Sequence, residues 1–294
     1  MTEDPRWPRA AHWLANAVHD NPRFTVLGVP AHETSISTTN AHTTPPAVRD
    51  ALLRYSTYST RLDRDLWELP AQDLGDVPDP DHFEGELRVS DAVRSNPAGA
   101  LLFAIGGDNS ITYSVMHGMG GLESAGLITL DTHHDLRDGE SNGSPVRRLI
   151  DAGLDPRRIV QIGINDFSNS SSYGRQAQRL GITVITRDEV AERGITECMR
   201  SALDIAGASG APIHVDLDVD VCDRAVVPGC PAAAPGGLSA HELRIAARLA
   251  GADARVRCID ATEVDASADA PDGRTVRLVA LCLLESAMGR LSIL

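Results

Sequence analysis

Short apolar, β-branched runs recur along the chain at Phe24–Val29, Ala100–Ile105, Leu127–Asp131, Ile159–Ile164, Thr183–Thr186, Ile213–Asp218 and Arg257–Glu263. They carry little polar alternation, which is the pattern of strands covered on both faces. Between them the apolar spacing turns helical. Prolines 45 and 46 open the predicted helix Ala47–Tyr55, at a helix start where a missing N–H costs nothing. Ser239-Ala-His-Glu242 reads as a capping box ahead of Leu243–Leu249, and Thr275–Met288 is long and apolar at helical spacing. Alternating strands and helices predict right-handed crossovers and a mostly parallel sheet with helices on both faces. The stretch from Asp63 to Glu86, rich in Asp, Glu and Pro, reads as an exposed connection. With no internal repeat and no low-complexity tract, residues 1–294 are expected to form one domain, with 1–22 as an N-terminal extension.

In parallel α/β sheets ligands bind beyond the carboxyl ends of the strands. Two of the predicted strands end in dense acidic segments. One reads Asp131-Thr-His133-His134-Asp135-Leu-Arg137-Asp138, the other Asp216-Leu-Asp218-Val-Asp220-Val-Cys-Asp223. Packed carboxylates repel one another and are costly to bury unless a cation compensates them. Were the chain to stay extended, 131, 133 and 135 would share a side, as would 218 and 220. Carboxylate with imidazole suits Mn²⁺, Mg²⁺, Fe²⁺ or Zn²⁺ better than thiophilic metals. Two further strand ends carry weaker signals: Gly106-Gly107-Asp108-Asn109-Ser110, a tight exit into a helix, and Glu263-Val-Asp265.

Charge narrows the function classes. The net charge is −14, and all 27 basic residues are Arg. Such a surface repels phosphate backbones and anionic membranes, so neither nucleic acid nor membrane is an expected partner. No apolar run reaches transmembrane length. The start, MTEDPRWPRA, lacks a basic-then-apolar leader pattern, so a cytoplasmic location is expected. The five cysteines are odd in number and none is spaced C-x-x-C, which predicts reduced thiols instead of a disulfide framework or a zinc site.

Taken in order, these four segments resemble the ureohydrolases, the arginase/agmatinase/formimidoylglutamase family, whose patterns are GGDHS, D-x-H-x-D, S-x-D-x-D-x-x-D-P…PG and E-V-x-P. The resemblance runs from about residue 24 to 290 and includes Val227-Pro228-Gly229. It implies a three-layer αβα fold around a mostly parallel eight-stranded sheet, a centre of two Mn²⁺ per chain, and a homo-oligomer. By position, Asp131 and Asp218 would bridge both metals, Asp135 would help hold one, and His133 and Asp220 the other. Two positions depart from the family. Its GGDH histidine, a metal ligand, is Asn109 here, a neutral and weaker donor that would leave one metal loosely held. The family's His-Gly before a Pro reads Asn142-Gly143-Ser144-Pro145. That string, together with Gln161–Ser170 and Asp223-Arg224, is similar to the formimidoylglutamase branch.

The resemblance implies metal-assisted hydrolysis of a linear amidine. The expected reaction takes N-formimidoyl-L-glutamate to L-glutamate and formamide, a step of histidine degradation. Asp218, Glu263 and His133 are the expected catalytic residues. Glu263 would orient the cationic group and Asp218 would pass a proton to the leaving nitrogen. The substrate's carboxylates call for a guanidinium, for which Arg137 is the first choice and Arg147 the second, while Asn142 and Ser144 would bond its amino-acid end. The alternatives are a guanidino substrate (arginine, agmatine or a guanidino acid) that releases urea, and a metal-poor relative that binds a ligand without catalysis.

Overall fold

In the computed structural model, residues 4, 6–15, 21–208 and 210–294 are described. The main sheet consists of β1 (Phe24–Val29), β2 (Ala71–Asp76), β3 (Leu101–Gly106), β4 (Gly126–Leu130), β5 (Ile159–Ile164), β6 (Thr183–Thr186), β7 (Ile213–Asp218) and β8 (Val256–Thr262). These eight strands are all parallel and lie in the order β2-β1-β3-β8-β7-β4-β5-β6. Four of the predicted strands, β1, β5, β6 and β7, have the expected bounds, and β3, β4 and β8 are shifted by one residue.

The eighth strand is a correction. β2 lies inside the acidic stretch read as an exposed connection. Its sequence, Ala71-Gln-Asp-Leu-Gly-Asp76, shows no apolar run because it is an edge strand that pairs only with β1. An edge strand needs little apolar surface and is protected by charge. Asp73 and Asp76 accept from Arg49, which anchors the edge to the neighbouring helix.

The helices are α1 (Ala10–Ala15), α2 (Thr44–Ala51), α3 (His82–Arg94), α4 (Ile111–Met119), α5 (Pro145–Asp151), α6 (Ser171–Leu180), α7 (Arg187–Arg193), α8 (Ile195–Ala206), α9 (Ala240–Gly251) and α10 (Arg274–Leu291). The Pro-led helix starts earlier than predicted, at Thr44, and finishes in a 3₁₀ turn over Leu52–Arg54. The Ser239 capping box is present ahead of α9. One layer, with α1, α2 and α7–α10, buries Phe24, Phe103, Val215 and Ile259. The opposite layer, α3–α6, covers Leu102, Ala104, Leu127 and Ile159. Part of the expected N-terminal extension belongs to the first layer. Trp13 of α1 is buried there and donates from Nε1 to Leu69 O at 3.0 Å. Residues 1–3, 5 and 16–20 of that extension lie outside the described residues.

Between β3 and β4 the chain leaves two sheet positions that β8 and β7 fill. Such a switch in strand order opens a crevice at the carboxyl ends. Alternation decides what faces that crevice from below. Ile213, Val215 and Leu217 of β7 point into the first layer, so His214, Asp216 and Asp218 point the other way.

Candidate metal centre and substrate cavity

At the carboxyl end of β4 the chain turns through Asp131–Asp135, and at the end of β7 it turns through a 3₁₀ segment, Val219–Val221. The segments do not stay extended as the alternation argument assumed. Instead Asp218 caps its own turn, accepting from Asp220 N–H at 2.8 Å. Asp131 likewise accepts from His133 N–H at 2.5 Å. These Asx turns swing alternate side chains inward. One ligand atom each of Asp131, His133 and Asp220 lies within 4.8 Å of the others. His133 Nδ1 is 2.8 Å from an Asp220 oxygen and 3.5 Å from an Asp131 oxygen. Asp135 sits beside them with a left-handed φ of 52°.

The electrostatics of this cluster ask for a cation. Asp131, Asp135, Asp218 and Asp220 are all buried. Burial, then the neighbouring Asp220, pushes the Asp131 carboxyl up to about 6. Burial also holds Asp135 and Asp218 well above the usual carboxylate range. Burial alone would lower the His133 pKa, yet the bonds to Asp131 and Asp220 raise it to about 12. Its imidazole is the only basic side chain within ion-pair distance of these carboxylates among the described residues. One oxygen of Asp131, Oδ2, is buried and has no partner. A buried carboxylate oxygen without a donor is what an absent ligand leaves behind. The oxygen-rich donor set with one imidazole fits hard-to-borderline divalent ions.

A cavity of about 370 Å³ opens over the cluster, lined at its floor by His133, Asp135, Asp218, Asp220 and Glu263. Glu263 is buried at the exit of β8, with a φ of 64°. Its Oε1 accepts from Asn109 N–H and from Asn142 Nδ2, both at 2.8 Å. Burial, then the charge of Asp108, pushes the Glu263 carboxyl up to about 8. Asn142 is held at its other end, where Ile36 N–H donates to Oδ1 at 3.0 Å. The exit of β3 can approach so closely because Gly107 has no side chain: a Cβ there would sit 2.0 Å from Ala31 O. At the mouth, Arg137 lines the cavity and lies against Gly143. No acceptor holds its guanidinium among the described residues. The neighbouring Arg147 is committed to Arg137 O, Gly139 O and Asp151.

The comparisons with known proteins agree with this geometry. Residues 22–289 match the model of the arginase family. The chain is 35% identical over 257 residues to a formimidoylglutamase of Halalkalibacterium halodurans, covering 84% of this chain and 81% of that one. The chain belongs to the arginase family. Its fold superposes on the crystal structure of formimidoylglutamase from Bacillus subtilis with a TM-score of 0.93 and 29% identity, over 99% of this chain and 95% of that chain. The fold also matches a Trypanosoma cruzi formiminoglutamase solved with Mn2+2, with a TM-score of 0.87 at 24% identity, over 97% and 98% of the two chains.

In this arginase-family chain most of the residues singled out in the sequence converge, and two sit differently. Asp131, His133, Asp135, Asp218, Asp220, Glu263, Arg137 and Asn142 all belong to the cluster or its cavity. Asn109 lies beside the cluster but turns its amide nitrogen toward it, donating to Asp135 Oδ2 at 2.6 Å. Its oxygen faces the hydroxyls of Thr112 and Thr262, at 2.8 and 3.2 Å. In this arrangement the amide nitrogen, not the oxygen, faces the cluster. Ser144 is fully buried, bonded through Oγ to Ser141, and does not line the cavity, because it serves the turn that launches α5.

The sequence alone assigned no individual role to the residues behind the site, although Asp216 belongs to one of its acidic segments. Thr129, Asp216 and Asp260 form one in-register row across β4, β7 and β8, one pleat below the cluster. Asp260 is bonded to His214 and Thr112, at 3.1 and 3.0 Å. Gln161 and Asn169 hold the loop that carries His133. A polar residue inside an otherwise apolar run was the available signal for Gln161 and His214. None marks Asn169.

Proposed function

We propose that this chain hydrolyses N-formimidoyl-L-glutamate to L-glutamate and formamide with the help of divalent metal ions. The observation that carries the reading is the polarity of the cavity: buried carboxylates at the floor and an uncommitted guanidinium at the mouth. That polarity complements a substrate with a cationic amidine at one end and carboxylates at the other. The names of the relatives above support the same chemistry.

Asp131, His133, Asp135, Asp218 and Asp220 would hold two ions, for which Mn²⁺ is the candidate, with Asn109 as their neighbour. Bound there, such ions supply Lewis acidity and lower the pKa of water toward neutrality. The chain's own groups do the rest. Glu263, fixed by Asn109 and Asn142, takes the N–H groups of the planar amidine and holds its carbon over the floor. Arg137 pairs with a substrate carboxylate, and its forked geometry suits a bidentate bond. Water adds to the amidine carbon, the bond from that carbon to the amino-acid nitrogen breaks, and Asp218 delivers the proton that the leaving amine requires. The products are formamide and glutamate, and atoms balance with one water consumed. Residues 1–294 are read as one catalytic domain that works as a homo-oligomer.

The test is a substrate panel. Protein loaded with Mn²⁺ is offered formimidoylglutamate, arginine, agmatine and 3-guanidinopropionate, and formamide and urea are assayed. Formamide from the first alone is expected. Urea at an enzymatic rate from any guanidino compound would replace the substrate assignment, and no turnover with ions bound would leave a ligand-binding relative.

A further inference from the structure

The loop that carries the metal-cluster histidine leaves the sheet at Asp131, whose N–H still donates to Ile162 O of β5 at 3.1 Å. Beyond that point no strand lies alongside, and the backbone finds its partners elsewhere. Thr132 N–H donates to Asp220 Oδ1 at 3.1 Å, His133 N–H to Asp131 Oδ1, and Thr132 O accepts from Asn165 N–H at 3.4 Å. Two side-chain amides complete the set and serve His134. Asn169 donates from Nδ2 to Thr132 O at 2.9 Å and accepts from His134 N–H at 3.0 Å. Gln161 donates from Nε2 to His134 O at 3.1 Å, and its Oε1 is 2.7 Å from His134 Nδ1. Asn169 thus spans both sides of His133.

Gln161 is buried within β5, but Asn169 belongs to the loop that follows it. That loop supplies Ser168, Asn169 and Ser170 to the wall of the cavity. It is under backbone strain, because Phe167, fully exposed, adopts a φ of 65°, a conformation that costs a bulky residue free energy. Something must hold the loop in that shape, and its contacts to Thr132 and His134 do so. The cavity wall and the ion-holding loop are therefore one mechanical unit.

We propose that Asn169 is a positioning residue for the metal centre: by bracing Thr132 and His134 it fixes His133 and Asp135, so that retention of ions requires the cavity wall to be in place. The inference rests on reading the cluster as a divalent-ion site, and it is independent of which substrate the cavity takes.

The experiment titrates Mn²⁺ into ion-free wild-type, Asn169→Ala, Asn169→Ser and Phe167→Asn proteins, following free Mn²⁺ by electron paramagnetic resonance. Melting of each ion-free protein is recorded in parallel. Loss of two bonds is expected to weaken Mn²⁺ binding about tenfold or more in both Asn169 variants. The ion-free melting temperature should stay within a few degrees of wild type. Phe167→Asn, which suits the left-handed backbone, should bind as wild type does. Turnover by the Asn169 variants should be low at limiting Mn²⁺ and rise as Mn²⁺ approaches saturation, with a midpoint that follows the weakened Mn²⁺ affinity. Unchanged Mn²⁺ affinity in both Asn169 variants would overturn the inference alone. Variants that melt early and are not rescued by Mn²⁺ would overturn it in favour of a purely structural role. Wild-type protein that takes up no Mn²⁺ would overturn the inference together with the functional reading.

Discussion

Arg137 shows what a single side chain contributes here. Eleven guanidinium groups among the described residues pair with Asp or Glu, whereas this one stands at the cavity mouth with no acceptor among the described residues. Its sequence neighbours Asp138 and Glu140 were the obvious partners, and neither takes it. Arg137→Ala is expected to raise KM for formimidoylglutamate by about 10- to 100-fold, the worth of a charge-assisted bond. kcat should change far less, because the lost contact binds substrate and transition state alike. Steady-state kinetics separate the two, and a fall in kcat with KM unchanged would place Arg137 elsewhere in the mechanism. Asn142 lines the same cavity, and both ends of its amide are bonded, one of them to Glu263. Beside a contact to substrate it would therefore also position that carboxylate.

At the scale of elements, the strand exits are built by close approach and by capping. Gly107 admits the backbone of Ala31 where a Cβ would collide at 2.0 Å. Gly107→Ala is expected to cost at least about 1–3 kcal/mol through forced backbone displacement, read as a lower midpoint in urea unfolding. The exit of β8 is held by Asp265. It accepts from Asn40 N–H at 2.8 Å and caps the 3₁₀ turn Ala266–Ala268 through Ser267 and Ala268 N–H. Burial alone would raise its pKa, but the bonds from Ser267, Asn40 and Ala268 hold it below the ordinary value. A depressed carboxyl stabilises the fold fully above the unfolded pKa of about 3.9 and loses that contribution as pH falls through the folded value. Asp265→Asn should therefore be less stable than wild type at pH 7, and the gap should narrow from about pH 4 downward. A gap that stays constant with pH would assign the effect to lost geometry instead of charge.

For the whole molecule, the centre concentrates buried negative charge in a protein that already carries −14. Ions that bind only the folded chain must stabilise it. Free Mn²⁺ at a hundredfold excess over Kd adds about 2.7 kcal/mol per site, which in a chain of this size is a rise of roughly 4–5 °C in Tm for each site filled. Stripping the ions with EDTA should reverse it, and calorimetry with and without chelator measures both. No helix among the described residues is long and apolar enough to cross a membrane. The layered architecture also sets the way into the site: helices cover both faces of the sheet, and the cavity lies over the carboxyl ends of β8, β7 and β4.

By itself the sequence determined the period of the elements and the chemistry at their ends. Buried parallel strands need continuous apolar runs, so seven of the eight announced themselves, and acidic clusters immediately after two of them had no purpose without a cation. The edge strand β2 was silent because a strand with one neighbour and one covered face can be polar. The tertiary structure alone decided which way each polar group turns. Whether Asn109 offers its oxygen or its nitrogen depends on Thr112 and Thr262, the latter 153 positions away. Whether Ser144 reaches the cavity depends on Ser141, and the bracing of His134 depends on Gln161 and Asn169. Hydrogen bonds are directional and are satisfied by whichever partner the packed chain brings within 3 Å or so, and no local pattern along the chain records that choice.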